Sequence, residues 1–159
     1  MKRLQDLLVL GNPLLYQVSE PVLQVELSLV SGWVADLHNV MEEIRARYQF
    51  GRAIAAPQLG IMKRLIYMNK PVVFINPEFT FLSGEKFDVW DDCMCFPNLL
   101  VKVKRHQELV LKYRDEKWQL HEWKKQDDLS ELLQHEYDHL DGILCTMRAI
   151  DDKSFKWRP

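Results

Sequence analysis

Two histidines four residues apart, His135 and His139, frame the run His135-Glu136-Tyr137-Asp138-His139. On a helix, residues four apart leave the same face, about 5–6 Å from each other at Cβ. Two imidazoles so placed hold one metal ion at about 2.0–2.1 Å each. A glutamate directly after the first histidine leans over the ion's open position and takes a proton from water there. The chemistry is metal-assisted hydrolysis. The bland alternative is an exposed helix with polar i,i+4 pairs.

Sites of this kind use three protein ligands and keep one position open. No glutamate follows Glu136, so a downstream carboxylate ligand of that type is excluded. Two cysteines compete for the third place. Cys145 stands where the longer H-E-x-x-H-x-x-G-x-x-H pattern has its last histidine, with Gly142 in its glycine position. Its alternative is that Gly142 ends the helix and Cys145 packs in the core. Cys93 lies upstream, in Val89-Trp90-Asp91-Asp92-Cys93-Met94-Cys95-Phe96-Pro97.

These residues need elements to hold them. Leu27, Val30, Val34, Leu37, Met41 and Ile44 draw one apolar stripe, which predicts a helix from about Glu26 to Tyr48, ended by Gly51. The small, nearly uncharged segment Gly51–Gly60 suits close backbone packing beside a pocket. Arg64–Met68 and Val72–Ile75 read as strands, punctuated by Pro77 and Ser83-Gly84. Leu109–Tyr113 and Trp118–Leu120 read as a hairpin with its turn near Asp115-Glu116. From Asp127 the pattern is helical, with Asp127 or Asp128 as N-cap and Gly142 as stop. Helix, many strands, helix predicts an α+β fold with mostly antiparallel sheet.

Composition bounds the rest. The chain has 159 residues, 47% hydrophobic and 28% charged, which predicts one domain spanning 1–159 with its own core. A net charge of -2 argues against a dedicated nucleic-acid binder. No apolar run reaches the roughly 18 residues of a membrane span, and Leu7–Leu10 is too short for a signal segment. Three cysteines do not make a secreted disulfide framework. The expectation is a cytoplasmic protein. His38, His106 and His121 read as surface or hydrogen-bonded histidines, and Trp118 and Trp123 as packing for the sheet. The basic tail Lys153–Arg158 reads as a frayed terminus, with a ribosome or RNA contact as its alternative.

Over nearly its whole length the chain resembles the peptide deformylases. That family carries G-x-G-x-A-A-x-Q, E-G-C-x-S and Q-H-E-x-D-H-x-x-G in fixed order. Here they read Gly51-Arg52-Ala53-Ile54-Ala55-Ala56-Pro57-Gln58, then Asp91-Asp92-Cys93-Met94-Cys95, then Gln134–Gly142. Gly11-Asn12-Pro13-Leu14-Leu15 is similar to the family's N-terminal G-[DN]-P-x-L segment. The resemblance implies mostly antiparallel sheets around a C-terminal helix carrying the H-E-x-x-H residues. It implies Cys93, His135 and His139 as ligands to one divalent ion, Fe²⁺ by preference, with Zn²⁺, Ni²⁺ and Co²⁺ accepted. Glu136 is then the general base, with the Gln58 side chain and the Met94 backbone N–H as oxyanion donors. The implied activity is hydrolytic removal of the N-formyl group from the formylmethionine of nascent polypeptides, releasing formate. The implied partners are N-formylated peptides, with the ribosome a further candidate and the chain itself a monomer.

This chain departs from the pattern. Ala53 replaces a glycine where a substrate backbone approaches closely. Asp91 is one methylene shorter than the usual glutamate. Asp92 sets a carboxylate beside Cys93, where it narrows the cleft or repels an acidic substrate. Cys95 shares a strand face with Cys93 if that stretch is extended. Asp128 and Glu131 lie seven and four residues before His135, where the family has apolar residues lining a methionine pocket. The alternatives are a hydrolase for another N-formyl or N-acyl amide, with a polar or cationic side chain, or a catalytically impaired metal-binding homologue.

Overall fold

The computed structural model describes residues 1–159. Helix α1 (Leu27–Tyr48) is followed by strands β1 (Ala53–Ala55), β2 (Leu65–Met68), β3 (Val72–Leu82), β4 (Lys86–Asp92), β5 (Leu99–His106), β6 (Glu108–Arg114) and β7 (Leu120–Gln126). Helix α2 (Asp127–Leu140) and strand β8 (Phe155–Trp157) complete the order. A five-stranded sheet runs β1-β2-β3-β6-β7 and a three-stranded sheet runs β4-β5-β8. Every ladder is antiparallel, as the strand-rich middle of the sequence predicts.

The larger sheet is covered on both faces where it carries β1 to β3. Alternation along the strands sends Ile54, Leu65, Tyr67 and Ile75 to one side, where Val30, Leu37, Met41 and Ile44 of α1 meet them. Ala53, Ala55, Ile66 and Phe74 point to the other side, against Leu132, Leu133 and Leu140 of α2. A helix on each face explains why these strands read as continuous apolar runs. Leu15, Cys93, Val101, Val103, Leu144 and Cys145 form a third cluster, under the smaller sheet.

Several boundaries differ from the sequence reading. Helix α1 closes at Tyr48 as expected, but Gln49, in the left-handed region at φ 61°, stops it, two residues before Gly51. Strand β3 runs through Pro77, because Asn76 turns to φ 50° and the pairing with β6 slips between Ile75 and Glu78. Trp118, at φ 64°, belongs to the turn, which Asp115 ties through the Lys117 and Gln119 amides, so β7 begins at Leu120. Neither Asp127 nor Asp128 caps α2: Gln126 holds the cap position, and the Asp127 carboxylate accepts from the Gln107 amide instead. The Lys153–Arg158 tail is not frayed, because β8 pairs with β5. The sequence reading misses β4, β5 and β8 as strands.

Helix α2 stops where expected. Gly142 follows it at φ 70°, and an added Cβ there would lie 2.5 Å from the Tyr16 carbonyl. Gly32, inside α1, faces open space. Gly142→Ala is therefore expected to cost more than about 1 kcal/mol, since it adds a backbone clash to a strained φ. Gly32→Ala should gain about 0.5–1 kcal/mol. Urea unfolding of the two variants measures both, and equal effects would contradict the packing described.

Candidate active site

Helix α2 carries the site because its buried face holds both histidines and Glu136. His135 is 5% exposed, Glu136 4% and His139 2%. Cys93 enters from the turn after β4, which the Phe96 amide closes on the Cys93 carbonyl. The His139 Nε2 lies 3.3 Å from the His135 Nε2 and 3.4 Å from the Cys93 Sγ. A tetrahedral ion with ligand bonds of about 2.0–2.3 Å has edges of about 3.3–3.6 Å, so these separations fit one. Three electron-pair donors facing each other in a dry interior are costly without a cation between them. The donor set thus fits a divalent metal.

Cys145 does not join this group. It clusters with Asp91 and His135, away from His139. Burial pushes its thiol well up, as expected of a core residue. Burial drives the Cys93 thiol upward too, so its thiolate needs the cation beside it.

Gln58 lies in the short 3-10 turn Ala56–Leu59 after β1. Its Oε1 accepts from the Ala55 amide at 2.8 Å, which turns Nε2 toward Cys93 and Cys95, at 3.8 and 3.5 Å from their sulfurs. Met94 follows Cys93 directly. Cys93 and Cys95 occupy a turn, not a strand, so it is the turn that brings their thiols together under Gln58. Glu136 keeps Oε2 free of any protein partner. Burial lifts its carboxyl to about 7, with His135 pulling the other way.

Asp91, short as it is, reaches both His135 and Arg105. Its Oδ2 accepts from the His135 Nδ1 at 2.9 Å and from the Arg105 Nη2 at 2.7 Å. Burial raises its pKa, but His135 and Arg105 outweigh that and hold it down to about 2. Burial also disfavours the His135 cation, yet Asp91 raises that imidazole to about 9. Asp91 holds the proton on Nδ1 and so leaves Nε2 as the ring nitrogen that could serve a metal. Burial drives His139 the other way, well below its ordinary value. Arg105 reaches on to Asp138 at 2.6 Å, which Arg148 grips with two further bonds. Arg105, Asp138 and Arg148 escape the sequence reading. One signal was available: Arg105 follows Val101 and Val103 at the spacing that puts all three on one strand face.

The other departures also find places. A cavity of about 350 Å³ opens beside Gln58, Cys93, His135 and Glu136. Ala53 lines it, and packs with Leu132 in the core. Asp92 is not a bare charge, because the Arg158 Nη2 lies 2.6 Å from its carboxylate. The Arg158 guanidinium also stands 4.3 Å over the Phe50 ring and donates to the Pro97 carbonyl. Arg52, at 2.6 Å from Glu131 and 3.3 Å from Asp128, answers the two acids on α2. His38, His106 and His121 are hydrogen-bonded to Tyr67, Ser83 and Asp115. Trp123 packs against Phe74 and Tyr113 of the sheet.

Such a helix, with a carboxyl poised beside convergent metal donors at a cleft, defines a metal-dependent hydrolase. A family model described as polypeptide deformylase matches residues 4–155. The peptide deformylase of Pseudothermotoga lettingae is 35% identical over 138 residues, covering 86% of this chain and 77% of that protein. That of Dictyoglomus thermophilum is 32% identical over 141 residues, covering 86% and 92%. The crystal structure of the Thermotoga maritima peptide deformylase superposes with a TM-score of 0.80 at 30% identity, covering 91% of this chain and 97% of that one. A Synechococcus elongatus peptide deformylase in complex with actinonin gives 0.84 at 28% identity, covering 92% and 79%. The chain belongs to the peptide deformylase family, whose metal-dependent activity is removal of the N-formyl group from formylmethionyl peptides.

Asp91→Asn removes the charge that orients His135. Metal affinity is expected to fall about 10–100-fold, as for other partners that orient a ligand. Competition with a chromophoric chelator measures it, and unchanged affinity would remove Asp91 from this role.

Proposed function

We propose that Cys93, His135 and His139 hold one divalent ion, Fe²⁺ in the cell, and that Glu136 and Gln58 perform deformylation around it. The observation that carries this reading is the buried Glu136 carboxyl, unpartnered at Oε2, beside three converging donors and the Gln58 amide, whose Nε2 faces Cys93 and Cys95. A thiolate and two imidazoles also suit Zn²⁺, Ni²⁺ or Co²⁺. When bound, the ion supplies Lewis acidity, lowering the pKa of water and polarising the formyl oxygen.

The chain's own groups do the rest. Glu136 Oε2 takes a proton from the attacking water and returns it to the leaving amine nitrogen, and having no protein partner leaves that oxygen available for both tasks. Gln58 Nε2 and the Met94 N–H donate to the oxygen on which charge develops. Gln58 is committed to this orientation, because its carbonyl is spent on the Ala55 amide. Asp91 holds the His135 ring by Nδ1 and turns Nε2 toward the other ligands. The products are formate and a peptide with a free amine. In this reading residues 1–159 are one domain, acting as a cytoplasmic monomer on formylated nascent chains, which it meets at the ribosome. No helix is long and apolar enough to cross a membrane.

Formate release from formyl-Met-Ala-Ser by protein loaded anaerobically with Fe²⁺ or Ni²⁺ tests the reaction. Glu136→Gln is expected to lose at least about 100-fold in kcat. A folded, metal-loaded protein with no activity would refute the reading. Separately, Cys93→Ser should release the metal while Cys145→Ser retains it, measured by metal content after dialysis. The reverse would make Cys145 the ligand.

A further inference from the structure

The smaller sheet buries only one of its faces. Val89, Val101 and Val103 point inward, to the cluster around Leu15 and Leu144. Residues opposite each other on paired strands share a face. The register sets Trp90 opposite Lys102 and Asp88 opposite Lys104, with Lys86 two residues further along β4. Lys156 lies opposite Leu100, two residues from Lys102, so the basic tail adds its charge to this same face. Lys86, Asp88, Trp90, Lys102, Lys104 and Lys156 thus form one outward surface. Four lysines and one aspartate give it +3 in a chain whose total is -2, so the remainder carries -5. The small total conceals this segregation.

Asp88 meets Lys104 at 2.7 Å, which leaves Lys86, Lys102 and Lys156 without a carboxylate. The Lys156 and Lys102 ammonium groups stand 4.0 and 5.9 Å from the ring centre of Trp90, a residue 41% exposed. Like charges gathered around one ring repel, and an anion among them removes that cost. Lysines two residues apart on a strand are about 6.7 Å apart, and neighbouring strands about 4.8 Å, so a single small anion reaches only part of this array. A chain of phosphates laid on the sheet reaches all of it and releases its own counterions. Trp90 adds an aromatic surface against which an unpaired base packs, for which an acidic peptide has no use. Unstacked bases are the form in which single-stranded RNA meets proteins.

We propose that the outer face of β4, β5 and β8 binds single-stranded RNA, with phosphates on Lys86, Lys102 and Lys156 and a base against Trp90. Trp90 also lines the catalytic cavity, so the RNA lies beside the mouth of the cleft. The inference goes beyond the reaction assigned above and uses none of its steps.

The test follows the fluorescence anisotropy of a labelled oligouridylate titrated with the metal-loaded full chain. Three phosphate contacts on a single strand predict an affinity that falls about 15-fold between about 50 and 200 mM salt. Folded wild type that shows no salt-dependent binding would overturn the proposal. Lys102→Glu is expected to weaken binding at least about tenfold and to flatten the salt dependence. Lys102→Gln should lose about fivefold, and reports even if the charge reversal fails to fold. Trp90→Ala should lose at least about fivefold. Lys117→Glu, in the turn between β6 and β7 of the other sheet, changes the net charge as much as Lys102→Glu and should stay within about twofold. Equal weakening by the two would assign the binding to net charge and not to this face. Polyglutamate that displaces the RNA at equal charge would make an acidic protein the occupant and overturn RNA. Anisotropy reads no formate, so a failure here leaves the reaction untouched, and an inactive enzyme that binds RNA as described leaves this inference standing.

Discussion

The buried carboxylate of Asp91 sits between an imidazole and a guanidinium, and most of the site is arranged around it. Asp91 and Arg105 each lie one residue before the end of their strands, β4 and β5, and His135 belongs to α2. One carboxylate thus joins the smaller sheet to the helix that carries His135 and His139. The chain of charges continues through Arg105 to Asp138 and out to the half-exposed Arg148. Removing such groups from water is expensive, and an apolar replacement of similar volume is often as stable. What the network supplies here is orientation. It fixes the rotation of the His135 ring and the height of α2 against β5. Breaking it at one member would strand the others as uncompensated charge.

Much of this was legible from residue spacing. The H-E-x-x-H run lies on a buried helix face, and the stripe from Leu27 to Ile44 packs as one ridge. Strands β1 to β3 announced themselves by continuous apolar character. Strands β4, β5 and β8 did not, because one face of their sheet meets solvent and carries Lys86, Asp88, Trp90 and Lys156. Charge pairing was the least legible feature. Arg52, Arg105 and Arg158 are residue types that normally sit in water, and no local pattern says which acids they meet. Their partners lie between 14 and 79 residues away in sequence.

The departures from the family pattern make sense as pairs. Read along α2 alone, Asp128 and Glu131 are two acids where the family has apolar residues. Arg52, from the loop before β1, meets both. Asp92 looked like a bare charge beside a ligand, and Arg158 meets it. In each case the acid and its base come from distant segments, so either change alone would leave an unanswered charge near the site. Asp91 is the same case in miniature: a shorter acid still reaches His135.

Arg158 has a consequence for anything joined to this chain. Its backbone amide bonds the Asn98 carbonyl, and its guanidinium rests between Asp92 and Phe50, both of which line the cavity. A segment fused after Pro159 therefore starts at the mouth of the cleft. With a short flexible linker, its effective concentration there would be on the order of millimolar. A fused segment with affinity for the cavity would act there as a tethered competitor. A fused substrate segment would turn a bimolecular encounter into an intramolecular one. The amino-terminal end offers a different attachment, because Arg3 and Leu4 are fastened to Glu43 on α1.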